Sequence, residues 1–187
     1  MTWSSLRYLP GQIALALAIF GLWEILVKAG ALSAHLYGYP SGIAARIVAL
    51  VASGELFVHA GVTAFAAIMG FALGSLIATY NCTLETDKDL LRLMRSLGAS
   101  RLQAWRKVVI PAALPWILST LRLNVGFALI GAVVGEYISS ERGLGYLVYY
   151  SGVLYDLNGV WAGIVALMVV ALLMDRGVTE IDRRLRW

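Results

Sequence analysis

One apolar stretch in the second half of the chain contains three side chains that could handle a charged solute, namely Arg122, Asn124 and Glu136. At 1.5 Å per residue, Arg122 lies about 15 Å along a helix that starts near Ala113, close to the middle of a bilayer. That placement costs about 2.5 to 3.5 kcal/mol on insertion scales, so Arg122 should face protein or water. It either contributes to an anion pathway or is structural, by snorkelling or by pairing. Glu136 and Glu24 lie near the ends of their apolar stretches, where water can reach them, and both are expected to be structural rather than catalytic.

Catalytic motifs are missing from the sequence. It has no phosphate-binding loop of the GxxxxGK[ST] kind, no HExxH and no GxSxG, and its two histidines are His35 and His59. A serine hydrolase built on Ser41 and His59 lacks an acid that would orient the histidine. The single cysteine, Cys82, excludes an intrachain disulfide and a cysteine-based metal site. We therefore predict no catalytic residue, no metal site and no cofactor bound by this chain itself.

A basic segment, residues 81–112, separates two of the apolar stretches. Its periodicity predicts two short amphipathic helices that are hinged at Gly98 and closed by Pro111. The basic side chains are Lys88, Arg92, Arg95, Arg101, Arg106 and Lys107; the apolar faces carry Leu90, Leu91, Leu93, Met94 and Leu97, then Leu102, Trp105, Val108 and Val109; and the capping boxes are Thr86 with Asp89 and Ser100 with Gln103. Such a pair either lies on anionic headgroups or presents a docking surface to a soluble protein.

Composition identifies the chain as an integral membrane protein. Of its 187 residues 60% are hydrophobic and 14% charged, and the mean hydropathy is +0.78, whereas about 25% of residues are charged in soluble domains. Crossing a bilayer core takes roughly 20 residues of helix. We predict an all-α, polytopic transmembrane bundle in one domain, residues 1–187, with about four spans: 11–30, 60–80, 113–137 and 157–174.

The distribution of basic residues predicts the orientation. Lys and Arg cluster before the first span, in the basic segment and after the last span, whereas residues 31–59 and 138–156 contain only Arg46 and Arg142. The positive-inside rule places both termini and the basic segment in the cytoplasm. The N-terminus also imitates a cleaved signal peptide, but Glu24 and Lys28 fall where small residues should follow the apolar run. The net charge of +4 reflects this topology and does not indicate a nucleic-acid partner.

Glycines predict close helix packing and one turn. Two GxxxG pairs, Gly70 with Gly74 and Gly131 with Gly135, would let spans approach closely, although glycine is common in membrane helices anyway. Pro40 and Ser41 are expected to cap a helix over residues 42–53. Gly143 and Gly145 would permit a tight turn before an interfacial helix, which is either an outer gate or a loop on the headgroups. Five tyrosines between residues 137 and 155 are typical of an aromatic belt.

Residues 96–152, SLGASRLQAWRKVVIPAALPWILSTLRLNVGFALIGAVVGEYISSERGLGYLVYYSG, closely resemble the membrane subunits, or permeases, of bacterial ABC importers in the nitrate, sulfonate and taurine branch. The family's cytoplasmic motif reads Glu-Ala-Ala, three residues, Gly, nine residues, Ile-x-Leu-Pro. Gly98 and Pro111 stand at this spacing with Val108 and Ile110 as hydrophobic equivalents, whereas residues 92–94, Arg-Leu-Met, replace Glu-Ala-Ala. GLWEILVKAGAL and SGELFVHAGVTAFAAIMGFALGS also resemble this branch, so the resemblance covers nearly the whole chain.

The resemblance implies a permease subunit of an ATP-driven importer in the inner or plasma membrane that works by alternating access. The solute would be a small anion such as a sulfonate, nitrate or taurine, although the branch also includes permeases for thiamine-precursor-like molecules. Implied partners are a cytoplasmic ABC ATPase that binds ATP and Mg²⁺ and docks on residues 88–109, a second permease copy forming a homodimer, and an extracytoplasmic solute-binding protein. The implied ATPase-coupling residues are Leu90, Leu91, Met94, Leu97, Gly98, Ala99, Ser100, Trp105 and Pro111.

The resemblance also predicts an internal gap. In such permeases two further spans separate a segment like GFALGS from a stretch like TYNCTLETDKDLLRLMRSLGAS, and here these are almost contiguous around residues 76–81. The resemblance thus implies that about seventy residues of the family pattern, including two helices of roughly 20 residues each, are missing here. Because two helices would be missing, the basic segment stays cytoplasmic, and Arg122 is expected to lose neighbours. The alternative function is a truncated, non-transporting membrane protein that retains an ATPase-docking module.

Overall fold

The computed structural model describes residues 9–84, 92–94, 96 and 98–185, and every regular element in these residues is helical. The helices are α1 (Leu9–Lys28), α2 (Ala34–Tyr37), α3 (Pro40–Ala52), α4 (Glu55–Leu84), α5 (Arg101–Ala104), α6 (Ile110–Ser139), α7 (Leu144–Val153) and α8 (Leu157–Leu185), and a π-helical turn, Trp105–Val109, joins α5 to α6. The predicted all-α fold is confirmed.

Three helices of the described residues are long and apolar enough to cross a membrane. The spans are Glu55–Asn81, Ala113–Ser139 and Leu157–Arg184, with mean hydropathies of 2.0, 1.8 and 2.2. The helix α1, with 20 residues, overlaps the first predicted span, 11–30, but is not one of these three, so the predicted count of four spans stays a prediction. Helices α4 and α8 extend past the predicted spans because the helical backbone continues into charged segments that a hydropathy profile does not include. The prediction of a polytopic helix bundle is confirmed.

The buried core lies around α7, between the beginning of α4 and the beginning of α8. Leu144 and Ala162 are fully buried, and Leu50 and Leu147 are nearly so. Ile47, Leu56, Ala60, Ala166, Leu167 and Val170 pack around them. The helix α7 is therefore part of the bundle rather than a segment resting on the headgroups. The remainder of the long helices carries many exposed apolar side chains, as lipid-facing surfaces do.

Small residues bring α4 and α6 together along one of the two predicted glycine pairs. A Cβ built on Gly70 would lie 3.7 Å from the Cβ of Ala128, and one built on Gly74 would lie 3.8 Å from the Asn124 amide nitrogen. Built on Gly131 or Gly135, a Cβ would meet open space. The second pair therefore does not mediate helix packing within this chain, and the prediction was wrong for it, since the period alone cannot tell which face a neighbour covers.

The short helix α3 is tied to the beginning of α8 by polar contacts. The Tyr39 amide donates to the Asn158 carbonyl oxygen Oδ1 at 3.1 Å. Arg46 and Asp156 form an ion pair at 3.2 Å. The N-cap of α3 is Tyr39, in an extended conformation and without a side-chain cap, so the predicted capping role of Ser41 is replaced by a different contact described below.

Candidate functional site

The first half of the basic segment is described in part. Residues 92–94 are helical. Gly98 has a φ of +76°, and the Ala99 amide donates to the Met94 carbonyl at 3.0 Å. A left-handed residue followed by an amide that bonds five residues back is the Schellman ending of a helix, so the predicted stop at Gly98 is observed. Leu90, Leu91 and Leu97 of the predicted coupling residues, and the predicted capping box of Thr86 with Asp89, lie outside the described residues.

The helix restarts after Gly98 as predicted. The Gln103 amide donates to the Ser100 hydroxyl at 3.3 Å, and the Ser100 amide donates to the Gln103 side-chain oxygen at 2.9 Å, which completes the capping box. The predicted apolar stripe divides into two faces. Val109 is 3% exposed, whereas Leu102 is 75% and Trp105 is 53% exposed. The exposed pair stands between the exposed basic side chains of Arg101, Arg106 and Lys107.

Pro111 does not close this helix, which corrects the prediction. The helical path runs through it from α5 into α6 without a break, by way of the π-helical turn. The Ile110 amide donates to the Trp105 carbonyl five residues back, one more than in an α-helix. Proline has no amide to donate, and its ring crowds the carbonyl four residues earlier, that of Lys107. We attribute the wide turn to this crowding. The consequence is that α5 and α6 form one continuous rod.

Arg122 has a partner on α8. Its guanidinium Nη2 lies 3.1 Å from Asp182 Oδ2, and the Asp182 side chain is 10% exposed. Measured back from Ser139 at 1.5 Å per residue, Arg122 lies about 25 Å from the end of α6, in the N-terminal half of that helix. Arg122 thus has Asp182 as a partner although its own side chain is 54% exposed, and the expected loss of further neighbours stays a prediction. The sequence left two roles open for Arg122, a structural one and one in an anion pathway. The structure shows the pairing with Asp182, which is the structural role, and the pathway role stays a prediction.

Asn124 lines a cavity between α4 and α6. The cavity has a volume of about 390 Å³ and its other walls are small or apolar: Ala66, Gly70, Gly74, Phe127, Ala128, Gly131 and Ala132. The Nδ2 group of Asn124 is buried and has no hydrogen-bond partner among the described residues, and the same holds for the Ser75 hydroxyl. An amide without a partner in a mostly apolar cavity is a place where a polar group from a neighbour or a solute would gain a bond. The pathway role of Asn124 stays a prediction.

Glu136 is buried instead of being wetted at the end of its span. The residue is 5% exposed, and its Oε2 accepts hydrogen bonds from the Thr63 hydroxyl and the Gly145 amide, both at 2.9 Å. No lysine or arginine of the described residues pairs with it. The positive end of the α7 dipole and these donors compensate its charge. Glu136 therefore acts as a helix cap for α7, supplied by α6.

Two side chains of α4 complete this cap. The Gly143 amide donates to His59 Nδ1 at 3.0 Å, and the Leu144 amide donates to the Thr63 hydroxyl at 2.7 Å. Since helices leave their first amides without partners, the three consecutive amides of residues 143–145 are satisfied by three side chains. We call His59, Thr63 and Glu136 the α7 cap. Thr63 is fully buried, and the sequence offered no direct signal for it.

The two glycines of GEYISSERGLGYL are what allow Glu136 to approach α7. Gly143 has a φ of +119°, a backbone conformation that residues with a side chain rarely adopt. A Cβ built there would overlap the Glu136 carboxyl group. Built on Gly145, a Cβ would lie 2.6 Å from the Val133 carbonyl oxygen. The predicted tight turn before a helix is confirmed, and its function is to admit the carboxylate.

A second carboxylate caps α3 in a similar way. Glu24 Oε2 accepts the Ser41 amide at 3.0 Å, and its Oε1 accepts the Ser41 hydroxyl at 2.6 Å. Lys28 lies 2.6 Å from the same Oε1. The Glu24 side chain is 20% exposed and that of Lys28 is 63% exposed. We call Glu24 the α3 cap. Unlike Glu136 it has a cation beside it.

No group of three or more His, Cys, Asp or Glu residues capable of holding a metal ion occurs among the described residues. Beside the α7 cap, an open cleft of about 540 Å³ lies between the beginning of α4 and the turn before α7. It is lined by Ser53, Gly54, Glu55, Val58, His59, Glu141, Arg142 and Tyr146. This mixture of charged and aromatic side chains resembles the rim of a protein contact more than a catalytic centre.

Comparisons with known proteins point in one direction. The profile of one family, described as the binding-protein-dependent transport system inner membrane component, matches residues 6–187. A probable ABC transporter permease of Brucella melitensis is 33% identical over 121 residues, which cover 65% of this chain and 49% of that protein. A putative aliphatic sulfonates transport permease of Bacillus subtilis is 27% identical over 238 residues, covering 94% and 86%. The taurine transport system permease of Escherichia coli is 39% identical over 95 residues, covering 51% and 34%.

The lengths of some of these matches indicate residues that this chain lacks. The match covers about half the length of the Brucella relative. The Bacillus match extends over 238 residues, whereas this chain has 187 in all, so more than fifty residues of that relative have no counterpart here. Because the match takes in 94% of this chain, those residues fall within the aligned region, as the predicted internal gap requires. No solved structure matches the chain.

Proposed function

The chain belongs to the family of binding-protein-dependent transport system inner membrane components, and from that premise we propose that it is the permease subunit of an ATP-driven importer. The solute is a small anion of the sulfonate or taurine kind, with nitrate as a further member of the class. Relatives named for aliphatic sulfonates and for taurine support this choice. ATP and Mg²⁺ bind to a separate cytoplasmic ATPase, and both termini of this chain lie in the cytoplasm.

The observation that carries the proposal is the surface of α5 and the π-helical turn. Leu102 of α5 and Trp105 of the π-helical turn are exposed apolar side chains flanked by the exposed basic side chains of Arg101, Arg106 and Lys107. An amphipathic helix with an apolar anchor fits a groove on a soluble partner, and flanking basic side chains favour an acidic rim on that partner. In this proposal, residues 88–109 dock into such a groove on the ATPase. The shape of the helix pair depends on Met94, Gly98, Ala99, Ser100 and Pro111.

The continuous rod from α5 through α6 supplies a means of coupling. Since no loop separates Ala104 from Ile110, a displacement of the docked α5 moves α6 as well. Arg122 and Asp182 carry that displacement on to α8. Alternating access in such transporters is a rocking of helices about a fixed site. This arrangement therefore lets an ATPase move the spans without touching the solute.

Two further partners complete the proposed importer. A second copy of the permease would supply the other half of the pathway, with the cavity beside Asn124 facing it. A solute-binding protein would dock outside, where the cleft beside Glu55, Glu141 and Arg142 offers both signs of charge. Electrostatic complementarity of this kind favours specific docking more than tight binding.

Docking of the ATPase can be tested with matched substitutions of Trp105. Trp105→Asp places a charge in the apolar anchor and should reduce co-purification with the cognate ABC ATPase at least tenfold, whereas Trp105→Phe keeps the anchor and should retain most of it. Tyr155→Asp, at an exposed aromatic residue before α8, is the control for a charge introduced elsewhere. Unchanged co-purification of Trp105→Asp, together with weaker binding of the protein to anionic liposomes, would mean that the segment binds headgroups instead.

A second candidate function is a non-transporting membrane protein that keeps the docking module. The internal gap of more than fifty residues relative to the Bacillus subtilis permease favours it, because the two further spans that the family resemblance predicts would fall in that gap. Both candidates bind the ATPase, and uptake separates them. The chain would be reconstituted with its ATPase and binding protein and supplied with taurine or nitrate. Uptake of the solute would support the importer. Docking of the ATPase without uptake would support the second candidate, and inserting a homologous two-span block after Ser75 should then restore uptake.

A further inference from the structure

The α7 cap joins more of the bundle than a helix cap requires. Its three side chains come from two spanning helices, His59 and Thr63 from α4 and Glu136 from α6. The Thr63 hydroxyl both accepts the Leu144 amide and donates to Glu136, so one oxygen connects α4, α6 and α7. The Thr63–Glu136 bond depends directly on the separation of α4 and α6 at this level, and the complete cap needs both helices against the N-terminus of α7.

Packing of α7 against α8 has a different character. A Cβ built on Gly163 would lie 2.6 Å from a methyl group of Val148, and Leu144 and Leu147 pack on Ala162. These contacts are apolar and not directional, and a turn of three residues, Leu154–Asp156, connects the two helices. Helix α7 can therefore stay on α8 while the directional bonds at its N-terminus break.

We propose that the α7 cap is a latch: it holds the ends of α4 and α6 together at the N-terminus of α7, and when those ends separate it comes apart and frees α7 with α8 from one of these two helices. Separation of α4 and α6 breaks the Thr63–Glu136 bond, and α7 then keeps either the bonds from His59 and Thr63 or the bond from Glu136, but not the full set. The buried Oε1 of Glu136, which has no hydrogen-bond partner among the described residues, would gain one from water on release.

Burial explains why the latch is either closed or open. Thr63 and Leu144 are fully buried and Glu136 nearly so, and an amide left without a partner at such a place is costly. Partial separation would leave several of these groups without either a protein or a water partner. The low-energy states are then the closed cap and a cap open to water, and intermediate separations are disfavoured.

The latch can be tested through a matched pair of substitutions at Thr63. Thr63→Val keeps the shape and removes the hydroxyl, whereas Thr63→Ser keeps the hydroxyl and removes a methyl group. The reporter is Ala67→Cys in a Cys82→Ser background, because Ala67 is fully buried one helical turn from Thr63 on the same face of α4. The full chain in lipid vesicles would be labelled with the membrane-permeant reagent N-ethylmaleimide.

We expect Thr63→Val to raise the labelling rate of the Ala67→Cys thiol about tenfold, and Thr63→Ser to leave it within about twofold, as the loss of a buried hydrogen bond predicts. A second reporter, Ala113→Cys at the other end of α6, where Ala113 is 4% exposed, should not respond to either variant. Equal rates at the first reporter for Val and Ser would overturn the latch. So would a parallel rise at the second reporter, which would indicate general loosening.

Glu136→Gln provides an independent variant should Thr63→Val not be recovered from membranes. The amide keeps one accepting oxygen but loses the charge that the α7 dipole favours. Labelling of the Ala67→Cys thiol should rise to a level between those of Thr63→Ser and Thr63→Val, and no rise would contradict the latch. The test needs neither ATPase nor solute, so it does not depend on the proposed transport function, and either can fail without the other.

Discussion

The two short helices α3 and α7 begin in the same manner but in different surroundings. Each starts where a carboxylate from another helix accepts the amide of its second residue, Glu24 with Ser41 and Glu136 with Gly145. Glu24 is partly exposed and has Lys28 beside it. Glu136 is buried, and His59 and Thr63 complete the set of bonds. The two caps therefore share their geometry. Their surroundings determine how much each cap contributes to the stability of the bundle.

The difference lies in what happens to the donors when the carboxylate is removed. At α3, water can replace Glu24, so the Ser41 amide loses little. At α7 residues 143–145 are buried, and an unsatisfied buried donor costs about 1 to 3 kcal/mol. An exposed ion pair adds at most a small term, since solvent screens it. The buried cap should thus dominate the stability of this end of the bundle.

The largest expected loss of stability comes from a glycine substitution that compares the beginnings of α7 and α3. Gly143→Ala places a Cβ against the Glu136 carboxyl group at a φ of +119°, so backbone strain and loss of the cap add up to about 4 kcal/mol. Gly42→Ala in α3 meets only side-chain atoms, of Tyr39 and Asn158 at 2.8 Å, which can move aside. Unfolding in mixed micelles by SDS titration should show the first loss to be several times the second. Similar losses would mean that α3 is as rigidly built as α7.

Removing the carboxylates compares the caps directly. Glu136→Ala should lower the free energy of unfolding by about 2 to 3 kcal/mol, because two buried donors lose a charged acceptor. Glu24→Ala should cost less, since its donors are accessible to water. Both variants would be measured in the same micelles, with Glu141→Ala, an exposed carboxylate outside either cap, as the control. If Glu24→Ala proves the more damaging, burial does not decide the strength of these caps.

How far the sequence predicts the molecule depends on the distance between partners along the chain. The spans follow from hydropathy, and the stop at Gly98 with the restart at Ser100 follows from signals within five residues of one another. Thr63 and Glu136 are 73 positions apart and Arg122 and Asp182 are 60 apart, and no local pattern connects such residues. Their pairing depends on which helix faces are neighbours, which only the folded bundle determines.

Pro111 shows a different reason for failure. A proline after a short helix indicates a break, because it lacks an amide and crowds the preceding turn. In the structure this crowding is accommodated by a π-helical turn at Trp105–Val109, and the helix continues beyond it. The sequence therefore identified the position of the strain correctly, but the predicted end of the helix at that position was wrong. The glycines at positions 143 and 145 were read correctly as a turn because their conformational requirement is satisfied within a few residues.

The smallest expected effect concerns salt. At 1 M the Debye length is about 3 Å, so exposed charges more than a contact apart no longer interact appreciably, whereas buried bonds are screened much less. The Lys28 side chain is 63% exposed, so any stability lost in Lys28→Met at low salt should shrink towards zero when sodium chloride is raised to 1 M. The loss in Thr63→Val should stay constant across the same series, because Thr63 is fully buried and carries no charge. If the stability lost in Thr63→Val changed with salt, solvent-exposed charges would contribute to the α7 cap. The distinction between an exposed cap on α3 and a buried cap on α7 would then not hold.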